Sequence, residues 1–285
     1  MNYTEQTIVF ACAQDMLTGI VATPDANAST GVIVIVGGPQ YRVGSHRQFV
    51  LLSRVLAAAG YPVLRFDYRG MGDSQGVQRD FSRVSQDIAA AIGAMQAHLP
   101  SVERVVLWGL CDGASAALTY CHDTNDARVC GLCLLNPWVR SAASLARAQV
   151  KHYYGQRLRQ KEFWVKLLSG KVAVSAITSL WRNVRLMGSR AGVKAGAQPL
   201  PFQQRMASAW NSFGGSLLLL LSGNDYTAKE FVEYAAMDAA WAGLLVQAQV
   251  VRHDLPDADH TFSDAASRTR VEVLTVAWLR AHMSQ

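Results

Sequence analysis

Residues 104–114 read Arg-Val-Val-Leu-Trp-Gly-Leu-Cys-Asp-Gly-Ala. A short β-rich run, Arg104–Trp108, leads into Gly109-Leu110-Cys111-Asp112-Gly113, and a helix-forming stretch, Asp112–His122, follows. A strand that turns directly into a helix leaves no room for side chains flanking the central residue, and glycines at 109 and 113 meet that demand. The central side chain is held in a strained turn at the end of the sheet, on a helix N-terminus whose dipole stabilises a thiolate or an oxyanion. This small-x-nucleophile-x-small pattern marks Cys111 as a candidate nucleophile. The adjacent Asp112 is negative and would oppose a thiolate if its carboxylate faced the sulfur. Its side chain is therefore expected to point away and cap the helix, with only its backbone N–H facing the reaction.

Outward from this turn, short β-rich runs alternate with helical patterns. Gln6–Cys12 and Leu17–Thr23 read as strands joined by a hairpin through Gln14-Asp15, and Val32–Val36 is an unbroken run suited to a strand buried on both faces. Phe49–Ala59 has helical spacing, Pro62–Phe66 is a strand, and Phe81–His98 is a helix capped near Asp80 or Ser82. Gly131–Leu135 is the next strand. The rhythm then breaks: from Pro137 to about Trp210 there are helical stretches, notably Glu162–Leu168 and Ala173–Leu186, but no convincing strand. It resumes with Ser216–Leu221 (strand), Thr227–Leu245 (helix), Gln249–His253 (strand) and Asp264–His282 (helix). The pattern predicts an α/β fold with a mostly parallel central sheet, helices on both faces and a helical lid inserted in it. The expected boundaries are 1–137 and 211–285 for the core and 138–210 for the lid.

Composition fits one large α/β domain: 285 residues, half of them hydrophobic. No apolar run reaches the roughly 18 residues that a bilayer crossing needs, and residues 1–14 lack a basic segment followed by an apolar one. A soluble, cytoplasmic protein is expected. The five cysteines do not have the spacing of a disulfide scaffold. Cys130 and Cys133 form a C-x-x-C at the start of a buried strand with no second pair, so they read as small core hydrophobes. Charge is unevenly spread. Residues 139–210 hold 13 Lys and Arg against one acid, Glu162, a net of +12; the rest holds 14 basic against 20 acidic residues, a net of −6. The basic surface includes Arg157, Arg159 and Lys161, and is expected either to be solvated or to meet an anionic partner or the inner-membrane surface. No nucleic-acid partner is expected.

Acyl transfer needs two N–H donors for the developing oxyanion. One is expected from Asp112 and the other from Gly38, in Val36-Gly37-Gly38-Pro39-Gln40, which resembles the H-G-G-P-G loop of prolyl aminopeptidase-type hydrolases with Val36 in place of the His. Pro39 has no N–H to give. A thiol needs a base, and of seven histidines His260 lies in Leu255-Pro256-Asp257-Ala258-Asp259-His260-Thr261-Phe262, between the last strand and last helix, a place and local pattern similar to those of the histidine in α/β hydrolases. Asp225, in Ser222-Gly223-Asn224-Asp225, is the candidate orienting acid. Asp257 and Asp259 are too near His260 in sequence to orient its ring. Nucleophile, acid and histidine then follow in α/β-hydrolase order. Phe66 to Ser74 is similar to a D-x-R-G-x-G-x-S loop common in that fold, in which Asp67 and Arg69 are expected to form an internal ion pair.

The chain thus resembles the α/β hydrolases over nearly its whole length. Residues 37–49, Trp-Gly-Leu-Cys-Asp (108–112), Leu-Asn-Pro-Trp-Val-Arg (135–140) and Lys-His-Tyr-Tyr (151–154) are similar to something narrower, the exosortase A system-associated hydrolases with a cysteine nucleophile. That resemblance implies a bacterial setting with exopolysaccharide production and PEP-CTERM protein sorting, and no known substrate. The elbow cysteine is also similar to that of dienelactone hydrolase, with a poorer match in the loop after the third strand and in the lid. Three functions follow: a hydrolase of an ester or thioester through an acyl-Cys111 intermediate, an acyltransferase sharing that first step, and a non-catalytic binding module. The presence of Cys111, His260, Asp225 and Gly38 together speaks against the third. The substrate is expected to be a small-molecule or carrier-bound acyl group, and no metal or organic cofactor is implied.

Overall fold

A computed structural model describes residues 2–38, 40–140 and 200–283. The chain divides into two compact units, residues 1–139 with 200–285, and residues 140–199. The second falls almost wholly outside the described residues, and with it the helices expected over 162–186 and the basic side chains of Arg157, Arg159 and Lys161.

The first unit is built on an eight-stranded sheet: β1 (Tyr3–Cys12), β2 (Asp15–Pro24), β3 (Thr30–Ile35), β4 (Val63–Phe66), β5 (Arg104–Leu110), β6 (Val129–Leu135), β7 (Ser216–Asn224) and β8 (Val250–Asp259). Their order is β1-β2-β4-β3-β5-β6-β7-β8. β1 and β2 form a hairpin, β2 pairs antiparallel to β4, and every later pairing is parallel. β3 is buried along its whole length, as its β-branched run requires. Six described helices accompany the sheet: α1 (Gln48–Ala58), α2 (Ser85–His98), α3 (Asp112–Thr124), α4 (Phe202–Ser212), α5 (Tyr226–Met237) and α6 (Ala265–His282).

The chain steps from β3 to β4 in one direction and from β4 back past β3 to β5 in the other. Because parallel crossovers are right-handed, this reversal sends α1 and α2 to opposite faces. α1 accordingly packs with α6, and α2 with α3. Where crossovers diverge, the carboxyl ends of adjacent strands open a crevice. Here those ends belong to β3 and β5, which carry Gly37-Gly38 and Cys111.

Several boundaries differ from the sequence reading for local reasons. The run Phe81–His98 is a 3-10 turn, Phe81–Arg83, capped by the Asp80 carboxylate (Ser82 N–H, 2.9 Å), followed by α2. The stretch 227–245 is not one helix: α5 stops at Met237, where Asp238 turns extended and caps the next turn through Ala240 N–H. β8 runs on to Asp259, so His260 stands immediately after the strand.

The insertion is shorter in the structure than 138–210. α4 belongs to the first unit and packs on α3. Its buried face, Gln203, Met206, Ala207, Ala209 and Trp210, finds body partners. Trp210 meets Trp241 edge-on at 5.6 Å and donates to Leu244 O at 3.0 Å. Arg205, one of the 13 cations of the basic segment, pairs with Asp123 at 2.9 Å.

The loop after β4 also corrects an expectation. Asp67 and Arg69 do not pair with each other. The chain leaves the extended state after Phe66, and the two side chains turn to different elements. Asp67 accepts from the Arg42 backbone N–H at 2.6 Å and from its guanidinium, whereas Arg69 makes a two-point ion pair with Asp87 of α2 at 2.8 and 3.0 Å. Both members of the second pair are almost completely buried. Removing one leaves an uncompensated buried charge, so Asp87→Ala is expected to destabilise the fold by about 3–5 kcal/mol. Urea unfolding checks this, and a loss below about 1 kcal/mol would show the pair to be dispensable.

Candidate active site

Cys111 caps the N-terminus of α3 with φ 60° and ψ −125°, a conformation that L side chains avoid. The turn is as tight as its glycines imply. A Cβ on Gly109 would lie 2.5 Å from the Gly113 carbonyl carbon, and one on Gly113 would lie 2.4 Å from Ile35 O. Backbone hydrogen bonds hold the strained residue: Cys111 N–H donates to Leu135 O at 2.8 Å, and Cys111 O accepts from Ala114 N–H at 3.1 Å and from Trp138 N–H at 3.3 Å. The thiol is half-buried at a cavity of about 360 Å³, shared with Gly37, Gly38, Phe49, Asp112, Trp138 and His260. Its walls are largely apolar, Phe49 being braced edge-on by Trp108 at 5.8 Å.

His260 and Asp225 come together as expected. Asp225 Oδ2 lies 2.8 Å from His260 Nδ1. The carboxylate also caps α5, accepting from Thr227 N–H at 3.0 Å and Ala228 N–H at 3.1 Å. Burial works to raise the Asp225 pKa, but the hydrogen bonds from His260, Thr227 and Ala228 outweigh it and hold the carboxyl below its usual range. The reciprocal effect on the ring is large. Hydrogen bonding to Asp225, then to Cys111, pushes His260 up to about 10 against the opposing effect of burial. The acid and the sulfur thus both favour the protonated form of the ring. Asp259 is engaged elsewhere, accepting from Thr261 N–H at 3.1 Å and Ser263 N–H at 2.9 Å.

Gly38 and Asp112 border the same cavity as Cys111. Gly38 has φ +61° and open space where a Cβ would stand. The Asp112 side chain packs toward Gly37: its Oδ1 sits 2.4 Å from where a Gly37 Cβ would be, and is sealed from solvent without a hydrogen-bond partner. Gly37 lacks a side chain and so leaves this space open, and Asp112 fills it. Among the described residues no cluster of His, Cys, Asp and Glu is arranged to hold a metal ion.

One positioning residue escaped the sequence reading. Asn136, fully buried with φ 44°, donates through Nδ2 to Ser222 Oγ at 2.9 Å and to His260 O at 3.1 Å, and accepts from Ser222 N–H at 2.9 Å. Ser222 Oγ in turn donates to Asp259 O at 2.8 Å. These bonds tie the ends of β6, β7 and β8 into one platform beneath the histidine. The available signal was a polar residue between a buried apolar strand and a proline, in Leu135-Asn136-Pro137.

This strand-turn-helix elbow, with its histidine and carboxylate partners, lies on a chain of which residues 27–243 match the family described as serine aminopeptidase, S33. The chain belongs to that family. No curated protein matches it. Among solved structures it is similar to an esterase of Pyrococcus furiosus, 17% identical over 99% of this chain and 92% of that one, with a TM-score of 0.66. It is also similar to a dienelactone hydrolase of Anabaena variabilis, 13% identical over 99% of each chain, TM-score 0.62. An esterase domain of a Rhodothermus marinus protein is 18% identical over 98% of this chain and 99% of that one, TM-score 0.60. By family and by fold the chain is an α/β hydrolase, and it carries cysteine at the elbow position although the family is named for serine.

The acid–histidine contact makes a spectroscopic prediction. In Asp225→Asn the largest contribution raising the His260 pKa is lost, and the ring is expected to titrate well below about 10, toward its ordinary value of 6.5. The stabilisation of the fold by the protonated ring is full below about 6.5 and is lost as pH rises through about 10, and the variant loses it at lower pH. NMR titration of the ring measures the shift; an unmoved midpoint would remove Asp225 as its cause.

Proposed function

We propose that this α/β hydrolase cleaves an ester or thioester through an acyl intermediate on Cys111, with His260 as proton carrier, Asp225 as its orienting acid, and the backbone N–H groups of Gly38 and Asp112 as oxyanion donors. The observation that carries the reading is the His260 ring, held by Asp225 at 2.8 Å on one side and in contact with the Cys111 sulfur on the other. At rest His260 holds the thiol proton, so Cys111 is a thiolate beside an imidazolium. Sulfur then bonds to the acyl carbon while the carbonyl electron pair moves to oxygen, which the two N–H donors receive. Collapse restores the carbonyl and breaks the bond to the leaving group, which takes the proton from His260. Water next gives a proton to His260 and attacks the thioester carbon. The acid is released, and the sulfur recovers its place beside the imidazolium.

The resemblance of residues 37–49, 108–112, 135–140 and 151–154 to exosortase A system-associated hydrolases supports placing this reaction beside exopolysaccharide production and exosortase sorting in a bacterium. The net +12 of residues 139–210 supports a substrate or partner that is anionic, such as a carrier-bound acyl group or the inner-membrane surface. No described helix is long and apolar enough to cross a membrane.

Two experiments test these readings. Cys111→Ala and His260→Ala are expected to abolish turnover of p-nitrophenyl and acyl-CoA esters, and intact mass should show an acyl adduct on the parent that Cys111→Ala lacks. Cys111→Ser is expected to lose on the order of a hundredfold or more, because a histidine already protonated is not free to activate a hydroxyl. Full activity in Cys111→Ala would end the nucleophile assignment. For the basic segment, each Lys or Arg near an anionic surface contributes roughly 1 kcal/mol, lost on screening by salt. Replacing Arg157, Arg159 and Lys161 by Gln should weaken binding to anionic liposomes and steepen nothing in the hydrolysis of a small neutral ester. Binding indifferent to both salt and these substitutions would leave the segment a cover only.

A further inference from the structure

We propose that Asp67 and Arg42 are positioning residues of the reaction: their ion pair grips the loop after β3 and so sets the oxyanion donor that the acyl-cysteine reading assigns to Gly38. This rests on that reading and extends it to a pair that does not itself line the cavity. The loop runs from Gly37 to the start of α1, and Gly38, Gln40 and Phe49 along it line the cavity of Cys111. It is wedged at its first residue, where a Cβ on Gly37 would stand 2.5 Å from Leu110 O. Beyond that point packing gives little help. Gly38 is exposed, its φ of +61° is one that side chains rarely adopt, and no described atom lies within 4 Å of where its Cβ would be.

Arg42 supplies the second grip. Its backbone N–H donates to Asp67 Oδ1 at 2.6 Å, and its guanidinium bridges Asp67 Oδ2 and the Asp73 carboxylate. One residue thus meets Asp67 with both main chain and side chain, which fixes the path of the loop and supplies the countercharge together. Asp67 is itself immobilised. It is fully buried, and Oδ2 also accepts from Asp73 N–H at 3.1 Å. Its own N–H donates to Thr18 O on β2 at 3.0 Å, and its carbonyl accepts from Ser74 Oγ at 2.7 Å. A Cβ on Gly72 would stand 2.2 Å from Oδ2, so the loop after β4 closes round the carboxylate. Asp73 is largely exposed and has water to solvate it, whereas Asp67, sealed from water, relies on Arg42.

Residues 38–41 therefore span two fixed points, one on the elbow and one on the sheet. So short a span has little slack. Gly44 N–H donates to Tyr41 O at 2.9 Å and Ser45 N–H to Gln40 Oε1 at 3.3 Å, bonds that shape the loop from within and do not attach it to the body. An oxyanion donor acts through its distance to the developing charge, and a displacement of about 1 Å can cost on the order of a hundredfold in rate. Releasing the Arg42 end would let Gly38 drift, while Cys111, His260 and Asp225, borne by other segments, stay in place.

The test compares two reactions of the same thiol in the full chain. Acylation by p-nitrophenyl butyrate builds an oxyanion. In alkylation by iodoacetamide sulfur bonds to a saturated carbon, iodide leaves and no oxyanion forms. Asp67→Asn keeps the shape of the carboxylate and removes its charge; Arg42→Ala removes the guanidinium and keeps the backbone N–H. Each is expected to lower the acylation rate constant by about 10- to 100-fold. The ester concentration giving half the maximal rate should stay within about threefold of the parent, as for an interaction made in the transition state alone. Alkylation of Cys111, followed by peptide mass, should stay within about twofold of the parent, because it draws only on the thiolate beside His260. Acylation at the parental rate in both variants would overturn the proposal. So would alkylation that falls in step with acylation, since a general loosening of the site would then account for both. Should Asp67→Asn fail to fold, judged by circular dichroism, Arg42→Ala decides alone, its side chain being partly exposed. Absence of any acyl adduct on Cys111 in the parent would instead defeat the acyl-cysteine reading itself, so the two failures are distinct.

Discussion

The closeness of the Cys111 turn to the end of β3 governs the rest of the candidate site. The backbone of Gly113 comes so near Ile35 O that a Cβ there would stand 2.4 Å from it, and Gly37 comes so near Leu110 O that a Cβ would stand 2.5 Å away. Backbone meets backbone with no side chain between them. That approach sets Gly38 beside the thiol and gives the cavity its floor. It also forces Cys111 to φ 60°, a strain of about 1–3 kcal/mol. The parallel strands β3 and β6 on either side and the hydrogen bonds from Cys111 to Leu135 and from Trp138 to Cys111 hold the turn against that strain.

A second theme is how buried charge is matched. Asp67 is met by Arg42, Asp87 by Arg69, and Asp225 by His260 and the first turn of α5. Asp126, hydrogen-bonded by Arg128, is drawn down to about 2. Each carboxylate has a donor that replaces the water it lost, as burial in a low dielectric requires. Against that pattern Oδ1 of Asp112 is an exception, buried against Gly37 with no hydrogen-bond partner. Asn136 shows the opposite design. It is uncharged, fully buried and completely partnered, and it fixes the ends of three strands so that the loop bearing His260 starts from a rigid base.

The parallel core and the candidate site residues at its carboxyl edge could be read from the residues alone. Unbroken apolar runs define parallel strands because a strand covered on both faces has no polar side to show, and β3, β5, β6 and β7 were legible for that reason. The elbow was legible because only glycine fits its neighbours, and His260 and Asp225 because each follows a strand end at the correct point of the alternation. Partnerships across elements, by contrast, emerged only with the folded sheet. Nothing local distinguishes α4 as part of the body; its apolar face acquires meaning from Trp241 and α3. Asp67 and Arg69 are adjacent and opposite in charge, yet each pairs elsewhere, because a turning backbone points neighbouring side chains to different surroundings. The direction of the Asp112 carboxyl depended on a gap left by Gly37, some 75 residues earlier in the chain. Such choices rest on distances between segments remote in sequence, and a linear pattern holds no record of them until the sheet brings those segments together.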